Sequence, residues 1–192
     1  MDLRLAESTS TAAPSDEVLT QRLVGGQTKA GEELVRRYYR PLIRYLQRMT
    51  GNDHLAEELH QQTWLSVLEH LDKFDPSGGA GGFKAWLFRI ATNKANDHWR
   101  SRGRDSAAKE VLRLAGSMHA PPAGDRPESA EEAQKLHRAI GQLPEAQREV
   151  LLLRYYADMK FIDIARMLGC PLNTALGRMH KAVLKLRQLL EP

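Results

Sequence analysis

The chain has 192 residues, of which 42% are hydrophobic and 27% are charged, and its net charge is +4. Its apolar runs are far shorter than the roughly 20 residues that cross a bilayer, and no secretory signal is visible, so we expect a cytoplasmic protein without membrane insertion. Cys170 is the single cysteine, which excludes an internal disulfide and a multi-cysteine zinc site.

Apolar residues at a spacing of three and four predict helices in the first half of the chain. Residues 1–15 are small and polar, and we expect them to be disordered. A short helix then ends near Gly25, and a longer one, with Pro41 as a candidate kink, ends at Gly51. The apolar stripe of the longer helix comprises Leu34, Tyr38, Leu42, Tyr45 and Met49.

A third helix, capped by Asn52 or Asp53, is expected to end near Phe74, before a glycine-rich loop. The segment 53–75 holds six acidic residues against one lysine, whereas 84–104 holds six basic residues against one aspartate. An acidic segment followed by a basic one is typical of a protein with two binding surfaces. One of them would bind a protein partner and the other a polyanion.

The basic segment is predicted to be a helix from Phe83 to about Arg100 that mixes aromatic, amide and cationic side chains. Single-stranded nucleic acid is bound by this combination, because cations follow the backbone while aromatic and amide groups contact the bases. Trp86 lies on the apolar stripe and is expected in the core. The glycines before this helix would let the backbone approach a base that has left the stack.

The composition changes after Ser101 to a segment with several prolines, and helical periodicity resumes at Ala130. We therefore expect an all-α fold of two small helical domains and a flexible linker. The predicted boundaries are a disordered 1–15, a first domain at 16–104, a linker at 105–130 and a second domain at 131–192.

A helix-turn-helix is predicted near the C-terminus, with a first helix from Phe161 to Gly169. Leu172 is expected to fill the space beneath the turn, and Asn173 or Thr174 to cap the second helix. Such a second helix enters the major groove, and the cationic or polar side chains available for DNA are Arg178, His180, Lys181 and Lys185. The alternative is a helical hairpin that only packs.

Two stretches resemble one protein family. The run Phe83-Lys84-Ala85-Trp86-Leu87-Phe88-Arg89-Ile90-Ala91-Thr92-Asn93-Lys94 and its continuation to Arg100 resemble region two of the extracytoplasmic-function sigma factors. The run Leu143-Pro144-Glu145-Ala146-Gln147-Arg148-Glu149-Val150 and the helix-turn-helix resemble their region four. The resemblance covers about 18–104 and 131–190. It implies a transcription initiation factor that binds core RNA polymerase and promoter DNA and performs no chemistry itself.

The resemblance also implies roles by position. The acidic helix would dock on the clamp helices of the polymerase beta-prime subunit through Asp53, Glu57, Glu58, Gln61 and Gln62. The minus-10 element would be captured by Phe74, Ser77, Gly78 and Gly79 and contacted by Asn93, Lys94, Asn96, Arg100, Arg102 and Arg104. The minus-35 element would meet Thr174, Leu176, Gly177, Arg178, His180, Lys181 and Lys185. Further implied partners are the beta flap of the polymerase and an anti-sigma factor.

Some positions depart from the family's pattern. Gln61-Gln62 stands where the family usually has Gln-Glu, which removes one contact charge. Leu176 and Gly177 stand where polar side chains commonly read bases, so those hydrogen bonds cannot form, although Leu176 suits a thymine methyl group.

Two other functions fit parts of the sequence. The pair Glu57 and His60 has the spacing of half a di-iron carboxylate site, but a second Glu-x-x-His is absent, so we expect neither an enzyme nor a metal or other cofactor. A stand-alone helix-turn-helix regulator is the second alternative, and it would bind promoter DNA without polymerase.

Overall fold

The computed structural model describes residues 13–75, 82–105 and 130–191. Within these ranges the chain forms α-helices and one short 3-10 helix without any strand, so the predicted all-α fold is confirmed. None of the helices in these ranges is long and apolar enough to cross a membrane. The predictions for Ser77, Gly78 and Gly79, and those for nearly all of the linker, fall outside the described residues.

Four helices form the first domain. They are α1 (Asp16–Val24), α2 (Thr28–Thr50), α3 (Asp53–Glu69) and α4 (Gly82–Asp105), with the 3-10 helix Leu71–Lys73 after α3. Pro41 lies inside α2 and does not end it. Asn52 is the cap of α3, since its Oδ1 accepts a hydrogen bond from the backbone nitrogen of Leu55 at 2.9 Å.

The predicted apolar stripe of α2 is buried along its whole length and forms the centre of the first domain. Tyr45 is fully buried there, with its ring edge-on to Phe88 of α4 at 5.3 Å between centroids. Its hydroxyl lies 2.7 Å from Thr92 Oγ1, and the Thr92 hydroxyl in turn lies 2.7 Å from the carbonyl oxygen of Phe88. The Thr92 hydroxyl thus gives the buried hydroxyl of Tyr45 a hydrogen-bond partner.

α1 is attached to α2 by a charged contact. The carboxylate of Asp16, in the first turn of α1, accepts hydrogen bonds from Arg37 and from the hydroxyl of Tyr38. Arg37 also donates to the carbonyl oxygen of Pro14 at 3.0 Å. Burial and the Asp16 carboxylate raise the pKa of Tyr38 above its usual value, so the phenol remains a donor.

α3 ends earlier than the sequence predicts, at Glu69 rather than near Phe74. His70 closes the helix, with its backbone nitrogen bonded to the carbonyl oxygen of Ser66 at 3.2 Å. The following 3-10 turn buries Leu71. The tighter turn therefore keeps Leu71 on the core side after the α-helix has stopped.

Four helices also form the second domain. They are α5 (Ala130–Gly141), α6 (Glu145–Tyr155), α7 (Phe161–Met167) and α8 (Leu172–Leu190). In α6 five successive residues, 149–153, are buried. Five residues exceed one helical turn, so every side of α6 is covered. α7 and α8 cover it from its own domain, and α2 covers it from the first.

The two domains pack against each other. α2 contacts α5 and α6, α4 contacts α7, and the buried apolar residues of both domains form one contiguous cluster. The sequence gives no sign of this interface, because helical periodicity shows which face of a helix is buried but not which helix covers it.

Candidate nucleic-acid interface

The turn of the helix-turn-helix is closed by backbone hydrogen bonds. The backbone nitrogen of Cys170 donates a hydrogen bond to the carbonyl oxygen of Ala165 at 2.9 Å. Gly169 adopts a φ of +62°, in the left-handed region that favours glycine. α8 begins at Leu172 directly after Pro171, and no side chain caps it. The expected cap at Asn173 or Thr174 is therefore wrong, because both residues already lie inside the helix.

α8 has one buried face and one exposed cationic face. Ala175 and Ala182, seven residues apart, are fully buried, and α8 packs on α6 and α7. The exposed side chains predicted for DNA are Thr174, Leu176, His180, Lys181 and Lys185, with Gly177 also at the surface. No acidic residue occurs between Leu172 and Leu190, so a polyanion meets no repulsion from this helix.

Arg178 lies at the edge of that face and is half-buried. Its Nη1 is 3.8 Å from Cys170 Sγ, so the guanidinium stays close to the turn. Leu172 is 39% exposed, and its predicted place beneath the turn is therefore wrong. Together with Leu176, which is 42% exposed, it adds apolar surface to the N-terminal half of α8.

On α4, the predicted DNA contacts differ in exposure. Asn93 is exposed and Lys94 is half-buried, whereas Asn96 is only 8% exposed. The amide of Asn96 donates to Glu149 Oε1 of the second domain at 2.7 Å. Arg100, Arg102 and Arg104 belong to the described helix backbone of α4, but their side chains lie outside the description.

Phe74 stands at the entrance to the segment predicted to capture a base. Its ring is half-buried and packs on Trp86 at 5.0 Å and on Phe83 at 5.8 Å between centroids. Trp86 was expected in the core, but it is half-buried and packs against the core from outside. These rings form an aromatic platform at one end of α4.

The acidic surface of α3 carries the residues predicted to bind polymerase. Glu57, Glu58 and Gln61 are exposed, Asp53 and Gln62 are half-buried, and the Gln62 amide donates to Glu58 Oε1 at 3.0 Å. Two apolar side chains on α3 were missed: Leu65 and Leu68 are 59% and 57% exposed. Both leucines lie off the apolar stripe of α3, and this spacing could have identified them from the sequence as exposed.

His60 does not serve the di-iron alternative. It is buried, and its Nε2 accepts a hydrogen bond from the Trp64 indole at 3.2 Å, while burial lowers the pKa of its imidazole. Among the described residues no group of three histidine, cysteine or acidic side chains is placed to hold a metal. His60 is thus a core residue hydrogen-bonded to its neighbour one turn away.

Comparison with known proteins agrees with this arrangement of helices. A family model of Sigma-70 region 2 matches residues 34–105, and a model of Sigma-70 region 4 matches residues 133–186. The chain is 30% identical to the RNA polymerase sigma-H factor of Pseudomonas aeruginosa, over 92% of this chain and 94% of that protein. The chain belongs to the extracytoplasmic-function sigma factors.

Other sigma factors of this type are similarly close. The ECF RNA polymerase sigma factor SigW of Bacillus subtilis is 30% identical over 86% of this chain and 91% of that protein. CnrH, whose structure was solved with the cytosolic domain of CnrY, is 26% identical, with a TM-score of 0.70 over 92% of this chain and 97% of that one. As a sigma factor, the chain directs promoter-specific transcription, and a stand-alone regulator is not favoured.

Proposed function

We propose that this sigma factor reads the minus-35 element with α8 and captures the minus-10 element with the aromatic end and exposed face of α4. One observation carries the proposal: α8 follows a helix-turn-helix turn and exposes cations without any acidic residue. An exposed recognition helix of this kind fits the major groove, where its cations meet phosphates.

Within α8, the roles divide by chemistry. Lys181 and Lys185 are exposed on the C-terminal part and would neutralise phosphates, while Leu176 would touch the methyl group of a thymine. Gly177 contributes no side chain, so readout at that position would depend on contacts from its neighbours. We therefore expect a minus-35 preference in which apolar contact replaces part of the hydrogen bonding.

Within the first domain, Asn93 and Lys94 would contact the minus-10 strand, and the Phe74 platform would support the base-capturing segment. The acidic face of α3 would dock on the beta-prime clamp helices, and Leu65 and Leu68 extend that face with apolar surface. Apolar side chains of this exposure are typical of protein interfaces.

The remaining parts of the proposal rest on the family. The linker would pass through the polymerase toward the active-site cleft, and the second domain would rest on the beta flap. The chain itself would catalyse nothing and would act in the cytoplasm, where the polymerase lies. CnrH was solved in complex with the cytosolic domain of CnrY, and by likeness we propose that this chain is bound by a protein partner, an anti-sigma factor.

Selection of promoters from a randomised DNA library by the reconstituted holoenzyme tests the assignment. The expected result is two conserved blocks, one for each promoter element. Leu176→Ala, which removes the proposed thymine contact, should weaken enrichment of a thymine in the upstream block, whereas Val24→Ala, an exposed apolar residue on α1, should not. A single block, or an upstream block with unchanged base preference in Leu176→Ala, would refute the proposal.

A further inference from the structure

The outer face of α2 carries a row of arginines that has no part in the proposed function. Arg36, Arg40 and Arg44, here called the arginine row, follow one another at intervals of four residues. They therefore lie on one side of the helix, about 6 Å apart along its axis. The sequence between Leu34 and Asn52 contains no acidic residue. This segment is as free of negative charge as α8 is.

Most of the charge of the row is not used within the protein. Arg40 is exposed and Arg44 is half-buried, and within the described residues neither makes a hydrogen bond or an ion pair. Arg36 pairs with Glu33, whose Oε2 lies 2.9 Å from the arginine Nε. The side chain of Arg36 is 78% exposed, and an ion pair this exposed is weak, so a phosphate can replace the carboxylate.

The other two arginines of this segment have partners in the fold. Arg37 donates to the carboxylate of Asp16, and the Arg48 guanidinium lies 5.8 Å from the centroid of the Tyr156 ring. These contacts attach α2 to α1 and to the second domain. Arg40 and Arg44 attach α2 to nothing, so a structural role does not account for their charge.

The arginine row faces away from α4. Leu34 and Leu42 are fully buried, and each lies two residues from an arginine of the row, which places it on the opposite side of the helix. On that buried side the ring of Tyr45 packs edge-on to Phe88 of α4. A strand that follows the exposed face of α4 is therefore separated from the row by the thickness of two packed helices.

An aromatic ring and an amide flank the row. Tyr39 is 48% exposed, and its ring lies 4.9 Å from that of His60 between centroids. Gln47 is half-buried and follows Arg44 by three residues, on the same side of the helix. The planar guanidinium group matches a phosphate with two parallel donors. Cations that follow a backbone beside a ring that can stack on a base are the groups that bind single-stranded nucleic acid.

We propose that the arginine row binds single-stranded nucleic acid, as a second strand-binding surface on the side of the first domain opposite α4. The row would contact successive phosphates, and Tyr39 would stack on one base. The proposal rests on the assignment of the minus-10 strand to α4, because the strand on the row is then a separate segment. Two surfaces on opposite sides of one domain would hold separated strands apart.

Fluorescence anisotropy of a labelled single-stranded oligothymidine, titrated with the full chain at several salt concentrations, tests the proposal. Every protein carries Lys181→Ala and Lys185→Ala, so that α8 contributes little. Arg40→Ala with Arg44→Ala should reduce the slope of log affinity against log salt by about 1.4, since each phosphate contact on a single strand contributes about 0.7. Lys29→Ala, an exposed lysine of α2 outside the row, is the matched control and should leave the slope unchanged.

Two further variants separate binding from folding. Arg40→Lys with Arg44→Lys keeps both charges and should keep the slope of the parent protein. Tyr39→Ala should weaken binding about tenfold without changing the slope, as the loss of one stacked base does. Far-ultraviolet circular dichroism checks that each variant retains its helices.

Photo-crosslinking in the holoenzyme identifies the strand. A photoreactive label is attached at Gln47→Cys in a Cys170→Ser background, and the promoter DNA is radiolabelled on one strand at a time. A crosslink is expected once the promoter opens, and its position shows whether the template or the non-template strand lies on the row. The same label at Lys29→Cys should give no crosslink.

The outcomes separate this proposal from the proposed function. An unchanged slope in the double alanine variant, no crosslink from Gln47→Cys, or tighter binding of phosphatidylglycerol vesicles or polyglutamate than of the oligothymidine would each overturn it. In vitro transcription by the wild-type holoenzyme is measured in parallel. Absence of promoter-specific transcripts would refute the proposed function, whereas the slope of the free chain reports on the arginine row by itself.

Discussion

Asn96 of α4 donates a 2.7 Å hydrogen bond to Glu149 of α6, across 53 residues of sequence. Both side chains are buried, and burial raises the pKa of the Glu149 carboxyl, although the Asn96 amide and the Arg178 and Arg148 charges lower it. The carboxylate thus lies in a place where its charge is unfavourable. The stability of the packed chain should therefore fall as this group ionises.

Glu149→Gln is expected to stabilise the packed chain at neutral pH. Because the folded pKa is raised above the ordinary 4.5, the folded state binds the proton more tightly, and stability falls as pH rises from about that value through the raised pKa. Glutamine retains an oxygen acceptor for Asn96 and carries no charge. The unfolding temperature of the Glu149→Gln variant should exceed that of the wild type at pH 8, and the difference between the two proteins should disappear toward pH 4. A difference of the same size at every pH would contradict this account.

Tyr45→Phe should destabilise the first domain by about 1 kcal/mol, the ordinary net value of one hydrogen bond. The loss stays small because the Thr92 hydroxyl keeps its contact with the carbonyl oxygen of Phe88. Tyr39→Phe, on the exposed side of α2, is the control and should change little. Urea unfolding of the three proteins measures the effect, and equal losses in both variants would show that the buried contact contributes nothing.

Asp16→Ala should cost about 1.5–3 kcal/mol, since Tyr38 loses its acceptor and the only ion pair that Arg37 keeps is the longer one with Glu33, at 3.6 Å. Glu17→Ala removes an acidic residue from the same first turn of α1 but from an exposed position, so it controls for the helix dipole. Hydrogen exchange should show loss of protection in α1 for the first variant only. Unchanged protection of α1 in Asp16→Ala would contradict the role of this contact.

Lys181→Ala and Lys185→Ala should each weaken promoter binding by the holoenzyme and change its dependence on salt. Every phosphate contact that is removed should reduce the slope of log affinity against log salt by about 0.9. Lys29→Ala, which removes an exposed lysine from α2, is the control and should have a slope equal to that of the wild type. Slopes that do not change in either α8 variant would show that these lysines do not neutralise phosphates.

Periodicity in the sequence predicts much of the helical framework. The stripe of α2 is buried as expected, the Asn52 cap is present, and the helix after the glycine-rich loop is found at Gly82–Asp105. These features depend on residues close together in the chain, where spacing and capping chemistry act directly. The cationic exposed face of α8 follows in the same way from the order of its residues.

Features that depend on distant parts of the chain, or on the exact residue at which a helix begins, were not predicted. Leu172 was expected beneath the turn, yet α8 already begins there and turns its side chain toward solvent. Glu149 carried no predicted role, because only the packing of α6 against the first domain brings it to Asn96. The exposure of Leu65 and Leu68 was missed for a related reason. An apolar residue off the stripe is buried or exposed according to what packs on that side of the helix, which the helix's own sequence does not show.

In vitro transcription with purified core RNA polymerase tests the central claim most directly. The chain and core together should give transcripts from a defined start on the selected promoters, and neither component alone should do so. The chain without core should also fail to protect promoter DNA specifically. Absence of specific transcripts from the mixture, or specific promoter protection by the chain alone, would contradict its action as a sigma factor.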